Sequence, residues 1–121
     1  MAKERPELPG LLKPSITPIE EFQNSVIRPI IKMQHNLIVA FYKQNLLKRK
    51  IDFSAIKIEK KKSTIKNNLQ KDIGFKKLLL GSIIGHFTIE EYNTYLINAS
   101  EYNRRIINII TKRLQDSTTE L

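Results

Sequence analysis

The apolar periodicity of residues 17–50 is the feature that most constrains this fold. Large apolar side chains recur there at steps of three or four residues, which is the spacing of one face of an α-helix. They are Ile19, Phe22, Val26, Ile30, Met33, Leu37 and Phe41. A second stripe lies beside the first and consists of Ile27, Ile31, Ile38 and Tyr42. At about 100° per residue the two stripes cover roughly 220° of the helix circumference, so we expect this helix to have neighbours on two sides and a central position in the fold.

The same stretch carries a helix start signal and one interruption. Thr17 is a suitable N-cap, Pro18 occupies the first helical position, and Glu20 follows three residues after the cap. Pro29 lies inside the helix and removes one backbone hydrogen bond. Because the apolar stripe continues on both sides of Pro29, we expect the helix to be kinked there and not broken.

Three further helices are predicted at about residues 56–70, 72–86 and 88–114. Thr88 and Glu91 repeat the start signal of the first helix. The last helix has a seam of apolar residues at alternating steps of three and four, and we expect it to run unbroken through residues 98–100. The seam residues are Tyr92, Tyr95, Ala99, Tyr102, Ile106 and Ile109.

The sequence therefore predicts an all-α protein whose single domain, residues 17–115, is a four-helix bundle. Two of the helices are long, the first of them kinked at Pro29, and two are shorter. Residues 1–16 contain three prolines and a glycine, and we expect them to form an extended arm. Residues 116–121 are polar, and we expect a frayed tail.

The net charge of +9 is concentrated in one segment, residues 43–77. This segment holds 12 basic and 3 acidic residues, whereas the rest of the chain is neutral in sum. A concentrated basic surface attracts nucleic acid and other polyanions. A solvated, lysine-rich surface is the favoured interpretation, since aromatic side chains for base stacking are scarce in the segment. The candidate polyanion-binding residues are Lys48, Arg49, Lys50, Lys60, Lys61 and Lys62.

The sequence lacks the residue patterns of most catalytic and metal sites. There is no cysteine, so disulfides, thiolate nucleophiles and zinc–cysteine sites are excluded, which fits a cytoplasmic protein. Neither histidine has a metal ligand at a suitable spacing, and no nucleophile–base pair or phosphate-binding glycine loop is present. We therefore expect no catalytic residue, metal or cofactor. We also expect no signal peptide and no membrane span, because the longest apolar run, residues 78–87, is too short.

Several polar residues fall on faces that the periodicity predicts to be buried. Gln34 and Asn103 lie within the apolar faces of the two long helices, and we expect these amides to fix the register of the helices. The alternative is a ligand pocket between the helices. Its candidate lining residues are His35, Tyr92, Tyr95 and Tyr102. Glu101 can pair with Arg104 and Arg105, which are ordinary solvated helix charges unless one of them points into a cleft.

Glycines follow one line of the third predicted helix. Gly74, Leu78, Gly81 and Gly85 recur at helical spacing and leave a shallow groove. Because glycine lowers helix propensity, we expect another helix to approach closely there.

Three stretches of the chain resemble a family of small, all-helical bacterial proteins of uncharacterised function, some of which bear the label glyoxalase. These stretches are residues 27–34, 81–92 and 103–107, and the resemblance covers about residues 16–115. It implies an all-helical fold and supplies no activity, substrate or cofactor. Glyoxalase I enzymes are similar to one another in paired βαβββ modules and in a metal held by histidine and glutamate. This sequence has neither a strand pattern nor that ligand set, so we do not expect glyoxalase activity.

Three functions remain as hypotheses. The first is an interaction or structural module that self-associates, with a homodimer joined through the long helices, because the first helix has more apolar surface than three partner helices cover. The second is a polyanion-binding protein that uses residues 43–77. The third is a small-molecule enzyme or carrier with a pocket between the helices.

Overall fold

The computed structural model describes residues 17–121, and this part of the chain is helical throughout except for short connections. The helices are α1 (Pro18–Phe22), α2 (Arg28–Met33), α3 (His35–Lys48), α4 (Ile58–Lys71), α5 (Ile73–Ile84), α6 (Ile89–Ile97) and α7 (Ala99–Gln115). A π-helical turn, Gln23–Ile27, joins α1 to α2, and 3₁₀ turns lie at Phe53–Ala55 and Thr118–Glu120. The predicted all-α, bundle-like fold is confirmed. The expected arm, residues 1–16, lies outside the described residues.

The first long helix follows the prediction with two local distortions. Thr17 Oγ1 accepts a hydrogen bond from the Glu20 N–H group at 3.2 Å, as expected of the N-cap. Pro29 is preceded by the π-helical turn, in which the Arg28 N–H group donates to the Gln23 carbonyl oxygen. At Gln34 the backbone departs from helical geometry, with φ −92° and ψ 9°, and separates α2 from α3. Hydrogen bonds on both sides of Gln34 nevertheless continue the helix.

The second long helix is divided, contrary to the prediction. Asn98 has φ −136° and ψ 44°, so it ends α6 and precedes α7. The seam of apolar residues stays in phase across this break, which is why the sequence pattern concealed it. Thr88 and Glu91 form a complete capping box at the start of α6, as the sequence indicated.

The core lies around α7, which contacts the π-helical turn, α4, α5 and α6. Its Ile106, Ile110 and Leu114 side chains are fully buried. The first long helix supplies the other half of the core through Ile27, Ile30, Ile31, Ile38, Val39, Tyr42 and Leu46. Most of the apolar surface of that helix is therefore covered within the described chain, so the predicted excess of uncovered apolar surface on it is not present.

The C-terminal segment is ordered and packed, in contrast to the predicted frayed tail. Ser117 is buried and Leu121 packs against the core. His35 holds the segment in place, because its Nε2 lies 3.1 Å from the Glu120 carboxylate and its Nδ1 accepts from Arg113 at 3.2 Å. Since arginine only donates, the proton of the neutral His35 ring lies on Nε2 and is donated to Glu120. Within residues 17–121, no helix has the length and apolar content needed to cross a membrane.

The C-terminus of α3 contains one strained backbone position. Lys50 has φ 57°, and the N–H groups of Lys50 and Ile51 donate to the carbonyl oxygens of Leu47 and Leu46. This is the Schellman arrangement, in which glycine usually occupies the left-handed position.

We predict that Lys50→Gly raises the free energy of unfolding by about 1 kcal/mol, because glycine adopts this conformation without a steric penalty. Urea denaturation measures the change.

Lys50→Ala is the matched control, since it removes the same charge and keeps a Cβ atom in the left-handed region. We expect no stabilisation of this variant. Equal stabilities of the two variants would show that charge, and not backbone strain, governs the effect.

Candidate functional site

A groove runs between α3 and α5. Residues of both helices line two concavities of about 460 Å³ and about 450 Å³, which share Phe41 and Leu78 and so adjoin each other. Leu37, Phe41, Phe75 and Leu78 form the apolar part of the lining. Polar side chains are concentrated at the two ends. A mainly apolar concavity with a few polar groups is the usual form of a binding site.

One end of the groove is a hydrogen-bonded cluster centred on Asp72. Its Oδ2 accepts from Arg49 at 2.9 Å and from Asn45 at 3.2 Å, while Oδ1 accepts from the Phe75 N–H group at 3.0 Å. Asp72 is thereby the N-cap of α5. The Arg49 guanidinium, followed by the Phe75 N–H group, lowers the pKa of Asp72 from 3.8 to about 2. Within residues 17–121 the buried Asn45 Oδ1 atom has no hydrogen-bond partner, so in this part of the chain Asp72 alone orients the amide.

The other end of the groove is built around Gln34. This side chain is buried, and its Nε2 donates to the Ser82 carbonyl oxygen at 3.3 Å and lies 2.9 Å from His86 Nε2. Because an amide nitrogen only donates, His86 accepts this hydrogen bond and carries its proton on Nδ1. Gln34 was predicted to join the two long helices, but it instead joins the α2–α3 junction to the C-terminus of α5.

The glycine line predicted from the sequence forms the open side of the groove. Gly74, Gly81 and Gly85 are all exposed, and Leu78 between them is 48% exposed. A Cβ atom placed on Gly81 would meet no atom within 4 Å. The close helix approach that these glycines predict is therefore not made by any of residues 17–121. The line remains available to a partner outside the described chain.

A second uncovered apolar surface lies on α6. Beside the exposed polar residues Glu90, Asn93 and Thr94, four large apolar side chains of α6 are 41–78% exposed. They are Ile89, Tyr92, Leu96 and Ile97, and we call them the α6 ridge. At about 100° per residue they fall within an arc of roughly 140°, whereas Tyr95 on the other side of α6 is buried. Four exposed large apolar side chains are thus on α6, whereas the sequence placed the excess apolar surface on the first long helix.

The proposed tyrosine pocket is not formed as predicted. Tyr95 stacks between Tyr92 and Tyr102, with ring centroids 6.0 and 6.2 Å apart, and Tyr102 packs on Phe22 at 4.8 Å. Burial raises the pKa of Tyr102. His35 is bound to Arg113, which is eleven residues, or about 16 Å, along α7 from Tyr102. Tyr95 and Tyr102 are packed in the core, Tyr92 is 41% exposed on the α6 ridge, and His35 is not among them.

Asn103 takes part in this tyrosine cluster. It is half-buried, and its Oδ1 accepts a hydrogen bond from the Tyr95 hydroxyl at 2.5 Å. Asn103 and Gln34 therefore lie at different interfaces. The first joins α6 to α7 and the second joins the α2–α3 junction to α5, so the two amides do not set the register of one helix pair.

The six candidate polyanion-binding residues lie on the surface, with two of them engaged in local contacts. Lys48, Lys50, Lys60 and Lys62 are exposed. Arg49 is paired with Asp72, and Lys61 Nζ lies 5.1 Å from the centroid of the Phe53 ring. Binding of nucleic acid through these residues stays a prediction. Among residues 17–121, no group of three or more histidine, aspartate or glutamate side chains is placed to hold a metal ion.

No family model, curated protein or solved structure matches this chain. The resemblance carried by residues 27–34, 81–92 and 103–107 therefore stays a prediction. The features of this structure that bear on function are the α3–α5 groove, the α6 ridge and the basic surface of residues 43–77.

The Asp72 cluster makes stability depend on pH in a defined direction. Because the folded-state pKa of Asp72 is lowered, its contribution is present above about pH 4 and is lost as the pH falls towards 2. We predict that Asp72→Asn lowers the free energy of unfolding at pH 7 by up to about 1 kcal/mol, and that the difference from wild type shrinks between pH 4 and pH 2. Asparagine keeps the N-cap, so the change isolates the charge. Denaturation across this pH range measures it.

Arg49→Gln serves as the control for this charge pair. In the Asp72→Asn background it is expected to cost little, because its partner charge is already absent. A difference between wild type and Asp72→Asn that stays constant from pH 7 to pH 2 would contradict the assignment.

Gly81 gives a direct test of whether the groove is open in the isolated protein. We predict that Gly81→Ala raises the free energy of unfolding by about 0.5–1 kcal/mol, because alanine favours the helix and its Cβ atom meets no neighbour. Thermal denaturation at low micromolar protein concentration measures the effect. A destabilised Gly81→Ala variant would mean that the site is already filled.

Proposed function

We propose that this protein is an interaction module that self-associates, and that the α6 ridge of one copy binds in the α3–α5 groove of a second copy. The observation that carries the proposal is the pairing of the two uncovered surfaces. One is a convex apolar ridge, and the other is an apolar groove whose Gly81 has open space above it. Contiguous exposed apolar surface on a small protein marks an interaction site.

The dimensions of the two surfaces support this pairing. The α6 helix has nine residues and is about 13 Å long. The groove extends along α5 from Gly74 to Gly85, which is about 16 Å. The absence of side chains at Gly81 and Gly85 allows the backbone of an incoming helix to approach closely, as small residues do at other helix crossings. A helix one turn longer than α6 would extend beyond the end of the groove.

Charge also favours this arrangement over the contact of two identical faces. The residues that line the groove include Lys48, Arg49 and Lys77 and a single carboxylate, Asp72. The first turn of α6 carries Glu90 and Glu91. Bringing a ridge to a groove therefore places opposite charges together, whereas bringing two grooves together places like charges together. Such complementarity sets orientation and the association rate more than it adds affinity.

If both ridges and both grooves are used, two copies form a closed dimer. In a two-fold arrangement the ridge of each copy occupies the groove of the other. The dimer therefore contains the same ridge–groove contact twice. One contact of this kind involves the four apolar side chains of the ridge, and the two-fold repeat doubles the buried area. We expect a dimer that forms in the micromolar range.

Two exposed leucines allow the ridge and the groove to be inactivated separately. Leu78 lies in the groove and Leu96 lies on the α6 ridge, and each is about half exposed. We predict that Leu78→Glu and Leu96→Glu are each monomeric by analytical ultracentrifugation at concentrations where the wild type is a dimer. Mixing the two variants is expected to restore association, because the first keeps an intact ridge and the second an intact groove. The mixed dimer has one contact of the two, so its affinity falls below that of the wild type.

Leu47→Glu is the matched control. Leu47 is 72% exposed and lies outside both surfaces, so this variant should dimerise as the wild type does. Chemical shifts of ¹⁵N-labelled Leu96→Glu, recorded with unlabelled Leu78→Glu, are expected to change along residues 74–85. A wild type that stays monomeric at 1 mM would refute the proposal. A Leu96→Glu variant that still dimerises would indicate a groove-to-groove contact instead.

A further inference from the structure

We infer that a cleft between the π-helical turn and α7 binds a small phosphate-bearing anion. This cleft has a volume of about 400 Å³ and lies apart from the groove and from the α6 ridge. Four of its lining side chains are cationic and two are amides. The lining residues are Gln23, Arg28, Arg104, Arg105, Asn108, Ile109 and Lys112.

The arginines of this cleft are held in place by neighbouring side chains. Glu101 accepts from both Nε and Nη2 of Arg104, at 3.2 and 2.6 Å, and from Nε of Arg105 at 2.8 Å. Arg105 Nη1 also donates to Gln23 Oε1 at 2.9 Å, and Arg28 Nε donates to Asn24 Oδ1 at 3.2 Å. A guanidinium fixed at one edge keeps its other N–H groups at a defined position, so less conformational entropy is lost when an anion binds.

The side chains around the cleft carry an excess of positive charge. Next to the four cations there are two carboxylates, those of Glu101 and Asp116, which pairs with Lys112 at 3.3 Å. The excess is therefore two positive charges. The Arg104 guanidinium, followed by that of Arg105, lowers the pKa of Glu101 to about 2. This carboxylate is therefore ionised at neutral pH and contributes one negative charge to the balance. A dianionic phosphate group matches the remaining charge.

The composition of the lining favours a small anion over a nucleic-acid strand. Arginine forks recognise phosphate oxygens through paired hydrogen bonds, and the Asn108 amide adds a further donor. Strand-binding grooves also present aromatic side chains on which bases stack. Among the described residues that line this cleft none is aromatic, and Ile109 is the one apolar member. The volume is that of a small-molecule site.

The cleft depends on the unusual backbone before Pro29. Gln23 begins the π-helical turn and Arg28 directly follows it, so the turn lies between the two residues that face α7. Pro29 gives this turn a local cause, because it cannot donate to the preceding carbonyl groups. The turn brings Gln23 within hydrogen-bonding distance of Arg105, 82 residues later in the chain. Single π-helical turns are frequently found at functional sites.

Titration with inorganic phosphate and with pyrophosphate, at constant ionic strength, tests this inference. In ¹H–¹⁵N spectra we expect saturable shifts confined to the Arg28, Arg104 and Arg105 side chains and the Asn108 amide. We expect Arg28→Gln and Arg105→Gln each to weaken binding at least tenfold. Arg105→Lys keeps the positive charge but not the paired N–H donors of the guanidinium, so it should weaken anion binding less than Arg105→Gln does.

Lys60→Gln is the matched control, because it removes the same charge from the exposed surface of α4. Its affinity is expected to stay within twofold of the wild type. Circular dichroism verifies that each variant is folded. Arg28→Gln is expected to have the least effect on folding, since within residues 17–121 the Arg28 side chain has one hydrogen bond, to Asn24 one turn away. An equal loss for Lys60→Gln, shifts spread over residues 43–77, or no saturable binding at 10 mM pyrophosphate would each overturn the inference.

Discussion

Burial of one face of α7 is the constraint on which the rest of the structure depends. Ile106, Ile110 and Leu114 are fully buried, and α7 contacts the π-helical turn, α4, α5 and α6. Each such side chain contributes roughly 1.5–3 kcal/mol through removal from water. Because the core faces of the surrounding helices are used against α7 and the first long helix, several apolar residues of α5 and α6 stay exposed within residues 17–121, among them Leu78, Leu96 and Ile97. The groove and the α6 ridge follow from this arrangement.

The features that could be predicted are those that a few neighbouring residues determine. Thr17 and Thr88 begin helices as the sequence indicates, because the N-cap hydrogen bonds are made within one turn. The core faces were predictable in part, since period-3.6 spacing reports which side of a helix is buried. Ile30 and Ile38 are buried as predicted, whereas Leu37 and Tyr92 of the predicted apolar stripes are exposed. Gln34 lies on such a face and is buried, although the side chains it contacts are different from those expected. The C-terminal turn was missed because its anchors, His35 and the core around Leu121, are distant in sequence.

The candidate sites could be predicted only in part, because they depend on contacts between distant residues. The arginine cleft joins Gln23 to Arg105, and nothing in the spacing of either residue reveals the other. The glycine line was recognised as a place for close helix approach, but the sequence does not say that the approaching helix lies outside residues 17–121. Likewise, the break at Asn98 leaves the apolar period unchanged, so the periodicity could not show that α6 and α7 are separate helices.

That break has a consequence for how such a protein can diverge. In α6, which ends before Asn98, Ile89, Leu96 and Ile97 are exposed, whereas Tyr95 is buried and stacks on Tyr102 of α7. The buried and the exposed apolar residues are thus different residues of the same short helix. Substitutions at the three exposed positions can accumulate at little cost in folding free energy. Under the proposed self-association, such substitutions would change the surface that is recognised while the scaffold is retained.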